Sequence, residues 1–169
     1  MKYSVVFSSR TGNTKSLAVK IQEFYGEENC IYFGVPCEKA LEADVIFVGF
    51  WTDRSKPNAE LAAFLKRLKE KKVFLFGTAG FGGSDAYFNK ILKKAFKYVD
   101  KSNKILGTFM CQGRMPMTVR DRYVKMAKRP IHIPHIQKLI ANFDVALSHP
   151  NVSDYEGLKK CLTKIIISF

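Results

Sequence analysis

Short apolar runs alternate along most of this chain with segments whose apolar residues recur at helical spacing. The runs have the length of β-strands and cover residues 3–8, 30–34, 44–51, 72–77 and 105–111. The run at 44–51 is apolar almost throughout, which is typical of a strand buried on both faces of a parallel sheet. The pattern therefore predicts five strands.

The segments between these runs carry the periodicity of amphipathic helices. Residues 13–25 and about 84–98 each place apolar side chains on one helix face, and a further helix is expected after Pro57. The last helix is expected to open with a capping box formed by Ser153 and Glu156. Alternating strands and helices predict an α/β fold, a doubly wound parallel sheet with helices on both faces.

Residues 112–150 are longer than a connection in a minimal fold of this class requires. They hold a helical pattern at Val119, Tyr123 and Met126, then two prolines, then a second helical stretch near 135–146. We interpret them as an inserted helical segment packed beside the sheet. With 169 residues in all, the chain is predicted to form a single domain over 1–169.

Composition narrows the class of protein. Apolar residues make up 47% and charged residues 25% of the chain, as in a globular protein with a sizeable core, which excludes a disordered chain. No apolar stretch approaches the ~20 residues that cross a bilayer, so no transmembrane segment is predicted. The four cysteines have no CxxC spacing, so we expect reduced thiols in a cytoplasmic protein.

Net charge is the property that stands out. Lys and Arg number 28 and Asp and Glu 15, which gives a formal net charge of +13. This balance favours an anionic partner, namely a nucleic acid, an anionic membrane surface or an acidic protein, although a solvated basic surface gives the same composition. No nucleic-acid-binding motif accompanies the charge, so no nucleic acid is predicted as a partner. Peripheral contact with an anionic membrane surface remains an alternative.

The loop after the first strand is rich in hydroxyl groups around a glycine and leads directly into a helix. Backbone N–H groups and the helix dipole point outward together at such a place, which suits a phosphate monoester. The loop is neither a Walker loop nor a GxGxxG turn, and a simple helix cap is the alternative. The candidate phosphate-binding residues are Ser9, Arg10, Thr11, Gly12, Asn13 and Thr14.

The pattern Ser9-x-Thr11-Gly12-Asn13-Thr14 after the first strand resembles the phosphate-binding signature of flavodoxins. The resemblance extends over nearly the whole chain in the order of its elements and is weakest over 112–150. It implies a five-stranded sheet of order 2-1-3-4-5 that binds FMN at the switch between the first and third strands.

Three further loops match places where this family contacts its flavin. The resemblance makes Trp51 a stacking aromatic, gives the loop of residues 77–83 a contact with the pyrimidine edge of the flavin, and brings the end of the fifth strand to the same edge. The added candidates for cofactor binding are Trp51, Thr52, Asp53, Thr78, Ala79, Gly80, Phe81, Gly82, Cys111 and Gln112.

Each of these features has a simpler alternative. Trp51 could cap the core, the glycine-rich stretch could be only a turn, and Cys111 could be a small buried apolar residue. His132 and His135 lack nearby ligands, so no metal site is predicted. The coincidence of several loops at adjacent strand ends favours the flavin site.

The chain departs from the family in two ways. Residues 51–57, beside the position of the flavin N5, contain no glycine, so we expect this loop to resist a backbone with positive φ, with Asp53 the most tolerant position. Flavodoxins are typically acidic, whereas this chain is strongly basic.

The favoured function is electron transfer by an FMN-binding protein that shuttles electrons between redox partner proteins, whose docking face we expect to be acidic. The flavin would carry the chemistry, so no catalytic side chain is predicted. The alternative is a flavodoxin-like FMN-dependent NAD(P)H or quinone oxidoreductase that uses the same site. A nucleic-acid-binding module would explain the charge but not the loops.

Overall fold

The computed structural model describes residues 2–82, 84–130 and 133–165 of the chain. Its strands are β1 (Tyr3–Phe7), β2 (Cys30–Gly34), β3 (Val45–Asp53), β4 (Lys56–Pro57), β5 (Lys72–Ala79) and β6 (Lys104–Gln112). Its α-helices are α1 (Asn13–Tyr25), α2 (Ala59–Arg67), α3 (Asp85–Phe96), α4 (Met117–Ala127), α5 (Ile136–Ala146) and α6 (Val152–Leu162), and a 3₁₀ helix covers Glu38–Glu42.

The five long strands form a parallel sheet of order β2-β1-β3-β5-β6. This is the predicted order 2-1-3-4-5, because β4 is a two-residue strand that only pairs antiparallel with the end of β3. The flavodoxin-like α/β fold is confirmed. From β1 the chain adds β2 on one side and β3 on the other, so the strand order reverses between β1 and β3. Open α/β sheets form their binding crevice at such a switch point.

Each face of the sheet carries its own apolar core. On one face α1 and α6 cover side chains from β1, β3 and β5, including Phe47, Phe74 and Phe76. On the other face α2 and α3 cover Phe50, Leu75 and their neighbours. Strand β3 contributes alternating residues to both cores, which explains why its sequence is apolar at almost every position.

Helices α4 and α5 occupy the segment predicted as a helical insertion, and they pack against each other. Arg120 of α4 forms a bidentate ion pair with Asp144 of α5, in which Nε donates to Oδ1 at 2.7 Å. Gln112 at the end of β6 donates to Oδ1 of Asn142 in α5 at 3.1 Å. This segment is therefore joined to the carboxyl edge of the sheet.

The predicted start of the last helix is wrong. The capping box is formed by Asn151 and Asp154, not by Ser153 and Glu156: the backbone N–H of Asp154 donates to Asn151 Oδ1 at 3.2 Å and that of Asn151 to Asp154 Oδ2 at 2.8 Å. Ser153 lies inside the first turn, where its hydroxyl cannot cap. Both residue pairs have the spacing of a capping box, and the helix uses the earlier pair, in which Asn151 is the N-cap.

In the described part of the chain, no helix combines the length and apolar character needed to cross a membrane.

Candidate functional site

The carboxyl ends of three adjacent strands bring the predicted loops together. Trp51 on β3 pairs in register with Thr78 on β5, and Thr78 pairs with Cys111 on β6. Phe7, the last residue of β1, pairs with Gly49. The loop that follows β1 therefore starts at the same edge of the sheet.

A cleft of about 590 Å³ opens at this edge, a volume typical of a site for a small ligand. Part of its lining comes from residues predicted to bind cofactor: Arg10, Thr11, Asn13, Trp51, Thr52, Thr78, Ala79, Gly80 and Phe81. The other predicted residues do not line it and lie behind or beside it: Ser9, Gly12, Thr14, Asp53, Gly82, Cys111 and Gln112. Gly83 and His132 lie outside the described residues.

The loop at 9–14 is folded around the first turn of α1. Gly12 occupies the N-cap with φ of 86°, a left-handed conformation that glycine adopts without steric cost. Ser9 Oγ accepts from the N–H of Lys15 at 3.2 Å, and Thr11 Oγ1 accepts from Asn13 Nδ2 at 2.8 Å. Because both hydroxyls act as acceptors within the protein, their own hydrogens remain to donate to an anion. The loop therefore fits a phosphate group.

Asn13 joins this loop to the opposite wall of the cleft. Its Nδ2 donates to Thr11 and, at 2.8 Å, to the carbonyl of Arg114. Gly113 leaves the room for it, since a Cβ there would lie 2.6 Å from Asn13 Nδ2. Asn13 is 5% exposed and its Oδ1 has no partner among the described residues. A hydroxyl or water bound at the loop would satisfy that acceptor.

Thr78 connects the loop at 9–14 to the segment after Trp51. Its hydroxyl lies 3.1 Å from that of Thr14, and its carbonyl accepts from Thr52 Oγ1 at 2.9 Å. Thr14 is buried, so its hydroxyl holds α1 against β5 and does not face the cleft. Thr14 thus supports the phosphate loop from behind.

Trp51 lines the cleft with a half-buried indole and belongs to neither apolar core of the described residues. The structure therefore does not favour the alternative in which Trp51 caps the core. The guanidinium carbon of Arg10 lies 5.8 Å from the centre of its ring, within the range of a cation–π contact. The side chain of Phe81, 37% exposed, adds further aromatic surface. A flat, partly apolar ligand such as an isoalloxazine suits these groups.

The loop after Trp51 is a tight hairpin. Thr52 pairs with Pro57 and Asp53 with Lys56, which leaves a two-residue turn at Arg54 and Ser55 with φ of 48° and 62°. Such turns normally use Asn-Gly. The glycine-free loop does adopt positive φ, at Arg54 and Ser55 and not at Asp53, so the cost expected of such a backbone falls on these two residues. The left-handed conformation costs about 1–2 kcal/mol per residue.

The glycine-rich loop after β5 is clamped by two amide side chains. The carbonyl of Gly80 accepts from Gln112 Nε2 at 3.1 Å and from Asn142 Nδ2 at 3.0 Å. A Cβ on Gly80 would lie 2.6 Å from Met115 Sδ, and one on Gly82 would lie 2.5 Å from Gln112 Oε1. Both glycines therefore permit a close approach, and Gln112 shapes the cleft from outside its lining.

Cys111 packs into the core beneath α6 and is 3% exposed. Burial raises the pKa of its thiol, and the nearby charge of Asp154 raises it further. The thiol stays protonated and inaccessible, as expected for a small buried apolar residue.

The electrostatics of the cleft are strongly positive. Four guanidinium groups line it, which we call the arginine group: Arg10, Arg54, Arg114 and Arg122. Over the described residues, none of the four forms a salt bridge, and no Asp or Glu belongs to the lining. The cleft is therefore built for anions.

The second wall of the cleft was missed by the sequence analysis. It comes from the end of β6, the connection to α4 and α4 itself, at Gly113, Arg114, Met115, Pro116, Thr118, Val119 and Arg122, while Arg54, Ser55 and Tyr87 complete the lining. The dense basic run that begins at Arg114 was the available signal. The helical periodicity of this segment predicts α4, but it does not show which of its arginine side chains face the cleft.

The geometry agrees with similarities to known proteins. A family model for the flavodoxin domain matches residues 4–163. The flavodoxin-like domain-containing protein BilS of Clostridium symbiosum is 36% identical, with 96% of this chain and 94% of that protein covered. The protein of the same name from Clostridioides difficile is 32% identical, with 93% and 92% covered.

A solved structure shares the fold at lower identity. The Fusobacterium nucleatum flavodoxin bound to flavin mononucleotide has a TM-score of 0.50 and 16% identity, with 62% of this chain and 68% of that chain covered. The match to the flavodoxin domain supports FMN, the cofactor that the sequence predicts. The chain belongs to the flavodoxin family.

Proposed function

We propose that this protein holds FMN in the cleft and carries electrons between redox partners. When bound, FMN supplies the electron chemistry, and the protein supplies binding, orientation and electrostatics. Family membership and the fit of the cleft residues to a phosphate and a flat aromatic ring support the proposal. The four cysteines are all free, in keeping with a cytoplasmic location.

The phosphate would be held at the start of α1. Thr11 and Ser9 offer hydroxyl donors, Arg10 offers a guanidinium, and the helix dipole favours negative charge at this position. Trp51 would stack on the ring system, and the backbone of the loop at Gly80 would meet its polar edge. Asn13 and Thr78 hold these segments at fixed separations through the hydrogen bonds described above.

One observation favours a carrier over an enzyme. The described lining of the cleft contains no carboxylate, imidazole or thiol, and hydroxyl groups such as those of Ser55 and Tyr87 are the only side chains in it of a kind that general acid–base or nucleophilic catalysis uses. Electron transfer needs no such group. An NAD(P)H or quinone oxidoreductase remains the second candidate, because the unpaired guanidiniums of the arginine group also suit the phosphates of a nicotinamide nucleotide.

The test is to load the purified protein with FMN and follow its visible absorption under anaerobic conditions. NADPH is added first alone and then together with a catalytic amount of an NADPH-dependent flavodoxin reductase. The carrier function predicts that bleaching requires the reductase. Rapid bleaching by NADPH alone would favour the oxidoreductase, and failure to bind FMN would refute both functions.

A further inference from the structure

The arginine group contains more positive charge than FMN neutralises. Its four guanidiniums come from the phosphate loop, the hairpin after β3, the connection between β6 and α4, and α4. A phosphate monoester carries about −1.5 to −2 charges, so a net charge of about +2 remains at the cleft once FMN is bound. Arg10 lies within the phosphate loop, which leaves Arg54, Arg114 and Arg122 without an anion.

Among the described residues no carboxylate forms a salt bridge with any of these three arginines, and the contact of Arg122 with the ring of Tyr123, 5.8 Å from guanidinium carbon to ring centre, leaves its charge in place. Arg120, two residues before Arg122, pairs with Asp144 on the neighbouring helix. The three cleft arginines have no such partner among the described residues, and all three are exposed. Like charges gathered in one cleft repel each other unless an external anion is bound.

The backbone is held in a defined conformation at two of these three arginines. Arg54 occupies a two-residue turn in which both residues have positive φ, a place where Asn-Gly would be relaxed. The N–H of Arg114 donates to the carbonyl of His149 at 3.0 Å, and its own carbonyl accepts from Asn13 at 2.8 Å. An arginine at a strained position, and another whose backbone is hydrogen-bonded through both its N–H and its carbonyl, are features expected of a recognition site.

We propose that Arg54, Arg114 and Arg122 dock carboxylates of an acidic partner protein at the cleft, so that the partner meets the protein where FMN is held. The inference rests on the proposed function and names its partner by charge. Complementary charge of this kind accelerates encounter and fixes orientation, and its effect falls as salt is added. A small anionic molecule bound by the same arginines is the competing outcome.

The probe is cytochrome c in two forms, native with its basic surface and succinylated so that its lysines carry carboxylates. The FMN-loaded protein is reduced, mixed with each form, and the rate of haem reduction is followed at low and at 0.5 M salt. We expect the succinylated form to be reduced at least tenfold faster at low salt, with the advantage lost at high salt. The variant Arg114→Gln/Arg122→Gln should lose most of this advantage.

A charge-matched control separates docking at the cleft from net charge. Lys93→Gln/Lys94→Gln removes two exposed cations from the last turn of α3, away from the cleft lining. This variant should keep the advantage. If both double variants reduce the advantage equally, or if native cytochrome c reacts as fast as the succinylated form, the inference is wrong.

Direct binding of both cytochrome forms to the same variants is measured in parallel. Docking needs the arginines and not electron flow. Binding of the succinylated form without electron transfer would therefore refute the proposed function and leave the docking site standing. Electron transfer with no preference for the succinylated form would refute the docking site and leave the proposed function standing. An arginine-dependent response to a small dicarboxylate but not to the acidic protein would replace the partner protein by a small molecule.

Discussion

The side-chain amide of Asn13 donates a hydrogen bond to the backbone carbonyl of Arg114 at 2.8 Å, although 101 positions separate the two residues in sequence. This bond joins the phosphate loop to the wall that the segment after β6 contributes. Asn13 also donates to Thr11, so one buried side chain sets the shape of the loop and the width of the cleft.

Asn13→Ala removes both hydrogen bonds and leaves the partly buried carbonyl of Arg114 without its donor. We expect a loss of about 1–3 kcal/mol in the free energy of unfolding and weaker FMN binding. Chemical denaturation and flavin titration measure the two effects. Asn29→Ala is the matched control, because among the described residues its side chain makes only a long contact to Glu28 at the surface, at 3.4 Å. Equal stability of the two variants would contradict the account.

The hairpin after Trp51 should become more stable when its turn receives the residues that such turns favour. Arg54→Asn together with Ser55→Gly relieves positive φ at both positions, and we expect a gain of about 1 kcal/mol or more. Arg54→Gln removes the charge without helping the turn and should leave stability nearly unchanged. Denaturant unfolding compares them, and no gain in the double variant would show that the turn is unstrained.

Trp51→Ala should brighten the fluorescence of bound flavin and weaken its binding by about 1 kcal/mol, because an indole against the flavin quenches it and contributes stacking energy. Trp51→Phe keeps an aromatic face and should bind nearly as tightly as the parent protein. Steady-state fluorescence of the flavin complexes gives both quantities. If Trp51→Ala emits no more light than the parent, the indole does not stack on the flavin.

The cysteines should differ sharply in reactivity. Burial raises the pKa of Cys111, whereas hydrogen bonding to Tyr32 lowers the pKa of the Cys37 thiol, which is partly exposed. Because the thiolate is the nucleophile, Cys37 should be alkylated by iodoacetamide first and Cys111 last as pH rises from 7 to 9. Peptide mass spectrometry after timed quenching gives the order. Early modification of Cys111 in the folded protein would contradict its placement.

The sequence was sufficient for the sheet because strands buried on both faces leave a strong local signal. The runs at 44–51 and 72–77 predicted β3 and β5 within two residues at either end, and both strands continue toward the cleft. Ser153 and Glu156 were misassigned because capping depends on which residue first leaves the helical conformation, and several spacings satisfy the pattern.

The site was predictable only as far as its residues adjoin the strands. Arg10 and Thr11 lie in the loop after β1, Trp51 lies near the end of β3 and Gly80 follows β5, so position along the chain located them. Asn142 was missed because it contacts Gly80 from a helix 62 residues later. A polar residue on an amphipathic helix gives no local sign of what it faces.

The most direct test of the account compares FMN with riboflavin, which lacks only the phosphate. Charge-assisted hydrogen bonds contribute about 1.5–3 kcal/mol each, so two of them correspond to a preference for FMN of roughly 100-fold or more, measured by quenching of flavin fluorescence on binding to the apoprotein. Thr11→Ala should reduce this preference, and Thr118→Ala on the opposite wall should leave it unchanged. Equal affinities for the two flavins would contradict the phosphate site and with it the function proposed for this cleft.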